Sequence, residues 1–139
     1  MSARYLLDTN VLSETRRRLA APQVIGFLSA AEASALYVSV FTLGELRKGV
    51  ALKRRSDAEG AKQIADWVDG LEFSFADRIL GINAATAKLW GELSAQRARP
   101  VIDTLLAATA IVHELTLVTR NTSDVQDIGL KLIDPWKKR

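Results

Sequence analysis

Three acidic residues stand where folding can bring their carboxylates to one point. Asp8 directly follows a short apolar run, residues 5–7, that is typical of a strand. Glu45 and Asp103 fall near the starts of two segments with helical patterns. Carboxylate oxygens are the ligands that hard ions such as Mg²⁺ and Mn²⁺ prefer. The three side chains are therefore candidate ligands of a hard metal ion.

Each of these acidic residues also has a structural explanation. Asp8 suits a turn, with Asn10 as the N-cap of the helix that follows. Thr42 and Glu45 match a capping box, and the helix dipole favours Asp103 at a helix start. The shared placement of the three residues favours a functional site. A single carboxylate cluster explains all three positions, whereas three capping roles would each need a separate structural cause. Like charges at short range raise one another's pKa, so such a cluster calls for a cation.

Polar residues also follow a later apolar run, residues 115–119. Asn121 and Asp124 lie just beyond it, in a stretch rich in residues that form turns. Strands of a parallel sheet present their carboxyl ends at the same edge. We therefore expect Asn121 to lie near the three carboxylates.

The elements that must position these residues alternate between short apolar runs and longer helical patterns. We predict strands at residues 5–7, 36–40, 79–82, 115–119 and 130–133, and helices at 11–19, 22–31, 42–53, 58–71, 84–98 and 103–113. Strands separated by helices of this length predict crossover connections and a mostly parallel sheet. The predicted fold class is α/β, with the ligand site outside the carboxyl ends of the strands.

The length and composition of the chain exclude several kinds of protein and of functional site. With 139 residues the chain is expected to form one domain, residues 1–139. It contains no Cys, which excludes thiolate metal sites and disulfides, and its one His excludes a ribonuclease mechanism based on two histidines. No glycine-rich nucleotide-binding motif is present. No apolar run is long enough for a membrane span and no signal peptide is evident, so we expect a cytoplasmic protein.

Basic residues are clustered within a net charge of +3. Such clusters suit a polyanion, although solvated helix faces and tails are the more common explanation of any single cluster. The clusters are Arg16–Arg18, Lys53–Arg55, Arg97 with Arg99, and Lys137–Arg139.

The larger aromatic residues fall in helical or helix-end patterns. Trp67, Phe73, Phe75 and Trp90 are expected in the core, since large aromatics are usually substantially buried. The alternative is that Trp67 or Trp90 faces a dimer surface or a partner groove.

Four ordered motifs resemble the PIN-domain ribonucleases, and in particular the VapC-type toxins of bacterial toxin–antitoxin pairs, including the FitB-like branch. The resemblance spans nearly the whole chain and ends on Asp134-Pro135-Trp136. The four motifs are Leu6-Leu7-Asp8-Thr9-Asn10-Val11, Leu43-Gly44-Glu45-Leu46-Arg47-Lys48-Gly49-Val50, Asp103-Thr104-Leu105-Leu106-Ala107-Ala108-Thr109-Ala110 and Leu117-Val118-Thr119-Arg120-Asn121.

The resemblance implies an α/β/α sandwich around a parallel sheet of about five strands. It implies a Mg²⁺-dependent endoribonuclease, with Mn²⁺ as a possible substitute, in which Asp8, Glu45 and Asp103 are catalytic residues and metal ligands. Asn121 takes the fourth catalytic position. Asn10 and Thr119 are implied as supporting polar residues.

One departure from the family concerns Asn121, where many members carry Asp. Asp124 either compensates for the missing charge or merely closes the turn, and the sequence leaves open whether one or two ions bind. It also leaves open whether Glu45 or Asp103 is the general base. Candidate contacts to the RNA phosphates are Arg16, Arg17, Lys48 and Arg120.

The resemblance also implies partners: an RNA substrate, a cognate VapB-like antitoxin that neutralises the toxin, and a second copy of the chain in a homodimer. The alternative function is a PIN-like protein that binds RNA or a partner without cleaving it. Asp8, Glu45 and Asp103 are all retained, which favours the enzyme.

Overall fold

The computed structural model describes residues 2–137, so Lys138 and Arg139 of the last basic cluster lie outside the described residues. The strands are β1 (Tyr5–Leu7), β2 (Leu36–Ser39), β3 (Ile79–Leu80), β4 (Thr116–Val118) and β5 (Leu132–Ile133). The helices are α1 (Thr9–Glu14), α2 (Pro22–Ala30), α3 (Val40–Arg54), α4 (Ala58–Ser74), α5 (Ala84–Gln96) and α6 (Val101–Val112). Short 3₁₀ helices lie at Ala33–Ala35, Thr122–Asp124 and Gln126–Ile128.

The five strands form one parallel sheet in the order β3-β2-β1-β4-β5, which confirms the predicted fold class. β1 is central, with Leu6 opposite Tyr37 of β2 on one side and Leu117 of β4 on the other. From β1 the chain builds outward to β3 on one side and then returns to add β4 and β5 on the other. The strand order therefore reverses between β1 and β4, and open parallel sheets bind ligands outside the carboxyl ends at such a point.

Helices cover both faces of the sheet, because successive strand residues point to opposite faces. Leu7 and Val118 pack with apolar residues of α1 to α4 in one core cluster. Leu6 and Leu117 pack with α6 in a second cluster on the other face. The predicted three-layer α/β/α arrangement is thus confirmed.

The first predicted helix, residues 11–19, is wrong at both ends. α1 begins at Thr9, because Asp8 rather than Asn10 is its N-cap, and it ends at Glu14. The chain then turns, since the Glu14 carboxylate accepts a hydrogen bond of 2.8 Å from the backbone N–H of Ala21. This local closure depends on tertiary packing that periodicity does not report.

The predicted capping box of Thr42 and Glu45 is also wrong. α3 begins at Val40, with Ser39 as N-cap accepting from the N–H of Phe41. Glu45 therefore lies in the second turn of the helix, where capping does not explain it. α6 likewise begins at Val101 after Pro100, so Asp103 lies in its first turn rather than opening it.

The predicted burial of the aromatic residues holds for Phe75, which is 9% exposed, and is wrong for Phe73, which is 86% exposed. Trp67 is partly buried against the first core cluster. Trp90 is also partly buried, and its indole N–H finds no partner among the described residues. Across residues 2–137, none of the helices has the length and apolar character that crossing a membrane requires.

Candidate metal-binding active site

Asp8 lies at the carboxyl end of the central strand, where the strand order reverses. Its backbone N–H continues the ladder to β4 by donating to the carbonyl of Val118 at 3.0 Å. Its side chain is 6% exposed. One carboxylate oxygen accepts from the N–H of Thr9 at 2.6 Å, and the other accepts from the hydroxyl of Thr119 at 2.7 Å. Strand end, helix cap and a neighbouring strand therefore fix this buried carboxylate in one orientation.

Asn10 and Thr119 lie beside Asp8, where the resemblance implies supporting residues. The amide of Asn10 donates to Oδ2 of Asp8 at 3.3 Å, and its oxygen accepts from the N–H of Arg120 at 3.4 Å. Thr119 is 2% exposed and accepts from the N–H of Asn121 at 3.0 Å while donating to Asp8. The Thr119 hydroxyl thus ties the loop after β4 to the carboxylate after β1.

Asp103 reaches the same edge from the first turn of α6. The amide of Asn121 donates to Oδ2 of Asp103 at 3.2 Å, so two predicted site residues are in direct contact. Asp8, Asp103, Thr119 and Asn121 line one small depression, together with the apolar residues Leu106, Leu117 and Val125. Two carboxylates and one amide are therefore brought to one depression that apolar residues also line.

Glu45 joins this edge through a residue that the sequence analysis did not single out. The hydroxyl of Thr9 donates to Oε1 of Glu45 at 2.6 Å, and the N–H of the same residue donates to Asp8. Unlike Asp8, Glu45 is exposed. Thr9 was missed because a threonine between Asp8 and Asn10 is ordinary in a turn; the only signal was its place between two polar site residues.

Burial and neighbouring negative charges raise the pKa of two carboxylates in the cluster, Asp103 and Asp8. The pKa of Asp103 rises from 3.8 to about 6, first because the side chain is partly buried and then because Asp8, Asp124 and Glu45 are negatively charged. The hydrogen bond from Asn121 opposes this rise. The pKa of Asp8 is also raised, chiefly by burial, and its hydrogen bonds from Thr119 and Thr9 oppose the shift. Bound positive charge would relieve this repulsion.

The donor set suits an ion that keeps much of its water. Within residues 2–137, no group of three or more His, Cys, Asp or Glu side chains is arranged to hold a metal ion by itself. Mg²⁺ is commonly bound by one or two carboxylates together with waters and substrate phosphates, rather than by a complete protein cage. Asp8 and Asp103 on one depression fit that description, with Glu45 at its margin.

Asp124 lies close enough for its charge to raise the pKa of Asp103. It closes the 3₁₀ helix after β4, and its backbone carbonyl accepts from Arg97 at 3.4 Å. Asp124 therefore has a place in the turn and also adds negative charge to the cluster.

The predicted phosphate-binding residues have different surroundings. Lys48 is exposed on α3, one turn from Glu45. The guanidinium groups of Arg16 and Arg120 lie over the rings of Trp67 and Trp136, at 5.2 and 4.8 Å from the ring centroids. Arg17 pairs with Glu14 at 3.3 Å. Arg97 and Arg99 both bind Asp127, so this pair serves a contact within the chain.

Comparisons with known proteins show the family and the fold of the chain. The family model described as the PIN domain matches residues 5–128. The chain is 32% identical to the VapC ribonuclease Y4jK of Sinorhizobium fredii, covering 95% of this chain and 97% of that protein. It is 31% identical to the toxin FitB of Neisseria gonorrhoeae, covering 94% and 97%. The crystal structure of FitAcB from Neisseria gonorrhoeae superposes with a TM-score of 0.87 at 28% identity, covering 96% and 99%.

Proposed function

The chain belongs to the PIN domain family, and we propose that it is a Mg²⁺-dependent endoribonuclease that acts as the toxin of a type II toxin–antitoxin pair. The observation that carries this proposal is the convergence of Asp8 and Asp103 on one depression at the switch point of the sheet, with Asn121 bound to Asp103. The ribonuclease and toxin names of full-length relatives support it.

The roles of the three carboxylates follow from their burial. Asp8 and Asp103 are the more buried pair and face one depression, so we assign them to hold the ion. Glu45 is exposed and oriented by the Thr9 hydroxyl, so we assign it to orient the attacking water and accept its proton. When bound, Mg²⁺ would polarise the scissile phosphate and favour deprotonation of that water.

Asn121 and Thr119 keep the two ligands in place. Asn121 donates to Asp103 through its side chain and to Thr119 through its backbone N–H. Thr119 in turn donates to Asp8. This chain of hydrogen bonds fixes the separation of the two ion-binding carboxylates. Because Asn121 is neutral, we propose a single firmly bound ion rather than two.

The proposed partners follow from the relatives and the surface charge. The substrate is RNA, with Arg16, Arg17, Lys48 and Arg120 as candidate contacts to its phosphates. The toxin is neutralised by a cognate VapB-like antitoxin and forms a homodimer. We propose that residues 1–139 make up one PIN domain that works in the cytoplasm.

The proposal is tested by incubating purified toxin, freed of any antitoxin, with single-stranded RNA. We expect cleavage with Mg²⁺ or Mn²⁺, none with EDTA, and a loss of about 10²-fold or more in Asp8→Asn. Asp77→Asn is the control, because that side chain is 85% exposed before β3 at the opposite edge of the sheet. RNA that stays intact with both metals but still binds the protein would favour the non-cleaving alternative.

A further inference from the structure

Arg97, Arg99 and Asp127 form a cluster that the proposed chemistry does not use. Arg97 donates to both oxygens of Asp127, through Nε and Nη2 at 3.1 Å each. Arg99 donates to the same carboxylate at 3.0 Å. We refer to these three residues as the clasp. A carboxylate held by two guanidinium groups, one of them bidentate, is among the most directional contacts a protein makes.

Arg99 anchors the clasp in the protein interior. Its side chain is 2% exposed, although the charge of an arginine is rarely buried without partners. Its guanidinium also donates to the carbonyl of Leu93 at 3.0 Å and to the side-chain oxygen of Gln96 at 3.1 Å. Both acceptors lie near the end of α5. Asp127 is thereby attached to a fixed point on that helix.

The clasp joins the two segments that carry one side of the metal site. Arg97 and Arg99 lie in the short connection that leads into α6, and Asp103 is in the first turn of that helix. Asp127 lies in the segment after β4, six residues beyond Asn121. The clasp therefore bridges the chain on either side of the contact between Asp103 and Asn121.

Two further contacts connect the clasp to the metal site. Nη2 of Arg97 also donates to the backbone carbonyl of Asp124 at 3.4 Å, which fixes the turn between Asn121 and Asp127. Val125 is 1% exposed, packs in the second core cluster, and lines the same depression as Asp8 and Asp103. A shift of this segment would move Asn121 relative to both carboxylates.

We propose that the clasp sets the separation between Asp103 and Asn121, and that Asp127 is a positioning residue for the metal site. This inference rests on the proposed function, since it concerns the affinity of that site for its ion. Losing a group that orients metal ligands through an intermediary typically weakens metal binding about tenfold or more. A purely structural role would lower stability and leave that affinity unchanged.

The test is Mn²⁺ binding measured by calorimetry on the full chain, at a temperature where each variant is folded. Asp127→Asn removes the charge, and Arg97→Met removes a half-exposed partner. We expect the Kd for Mn²⁺ to rise about tenfold in both, and kcat to fall while KM for RNA stays within about twofold. Asp127→Ala, which also removes the acceptor oxygens, should show the larger effect.

Arg78→Met is the matched control. Its side chain is 15% exposed and donates to the carbonyls of Ala33, Leu36 and Ser74 at the opposite edge of the sheet. We expect Arg78→Met to lose stability but to bind Mn²⁺ like the wild type. An unchanged Kd for Mn²⁺ in both clasp variants would overturn the proposed positioning role of the clasp but not the proposed function. A wild-type chain that binds no Mn²⁺ overturns the proposed function as well.

Discussion

Replacing Asp103 by Asn should stabilise the metal-free protein. Burial, and after it the negative charges of Asp8, Asp124 and Glu45, raise the pKa of Asp103 from 3.8 to about 6. Asn has the same shape and keeps an oxygen that can accept from Asn121. The substitution therefore removes repulsion without removing the hydrogen bond, and the protein gains stability at the expense of its site.

The size of the gain follows from linkage. A rise of about two pKa units corresponds to about 3 kcal/mol if the whole shift is realised in the folded state. Asp103 is only partly buried, so solvent screening reduces this figure, and we expect about 1 kcal/mol. The free energy of unfolding, measured with urea in EDTA at pH 7.5, should be higher in Asp103→Asn by this amount.

The pH dependence has a definite sign. Below about pH 4, Asp103 is protonated in both the folded and the unfolded chain and costs nothing. Between that pH and about 6, the unfolded chain ionises this group first, so the stability of the wild type falls as the pH rises. Above about pH 6 the wild type has lost all of the stability that protonated Asp103 contributes. Asp103→Asn should lack this fall.

With Mg²⁺ added, the wild type should become more stable than Asp103→Asn. An ion that binds only the folded wild type adds about 1.4 kcal/mol at ten times its Kd, whereas Asp103→Asn should gain less. Asp77→Asn is the control and should match the wild type in both conditions to within about 0.5 kcal/mol. A metal-free Asp103→Asn that is no more stable than the wild type would refute the cost of ionising Asp103, from burial and repulsion, on which this reasoning depends.

Three further predictions concern neighbouring groups. Thr119→Val removes a donor to the buried carboxylate of Asp8 and should cost about 2 kcal/mol in urea unfolding; a loss below about 0.5 kcal/mol would contradict the assigned bond. Glu45→Gln should lower kcat at least about 10²-fold while Mn²⁺ affinity by calorimetry changes little, and an equal loss of both would instead make Glu45 a ligand. Arg97 and Arg99 hold the pKa of Asp127 well below its usual range, so wild-type stability should decline as the pH falls below about 4. Asp127→Asn should be less stable at pH 7 and lack that decline in acid unfolding curves; a decline equal to that of the wild type would contradict it.

Much of the fold could be predicted because the strands are apolar runs bounded by polar residues. Tyr5–Leu7 ends at Asp8 in the structure as in the sequence. The order of strands and helices then dictates a parallel sheet, which brings Asp8 and Asn121 to one edge. Family resemblance added the roles of Asn10 and Thr119, whose residue types alone indicate only a turn.

The remaining features depend on contacts between residues distant in sequence. Ser39 caps α3 because β2 ends there, whereas the Thr42 hydroxyl is buried and has no partner within residues 2–137. The end of α1 depends on Glu14 reaching Ala21. Asp127, 28 residues beyond Arg99, binds both Arg97 and Arg99, a partner that the basic cluster in the sequence does not indicate. Charge patterns alone do not show which partner a charge has.

We propose that Asp8 and Asp103 hold an ion on which RNA cleavage depends. This proposal is tested by the rate of cleavage of one single-stranded RNA as a function of Mg²⁺ concentration, for the wild type, Asp8→Asn and Asp103→Asn. We expect saturable dependence on Mg²⁺ in the wild type, no cleavage in EDTA, and a loss of about 10²-fold or more in both variants. Cleavage that persists in EDTA, or that is equal in all three proteins, would contradict it.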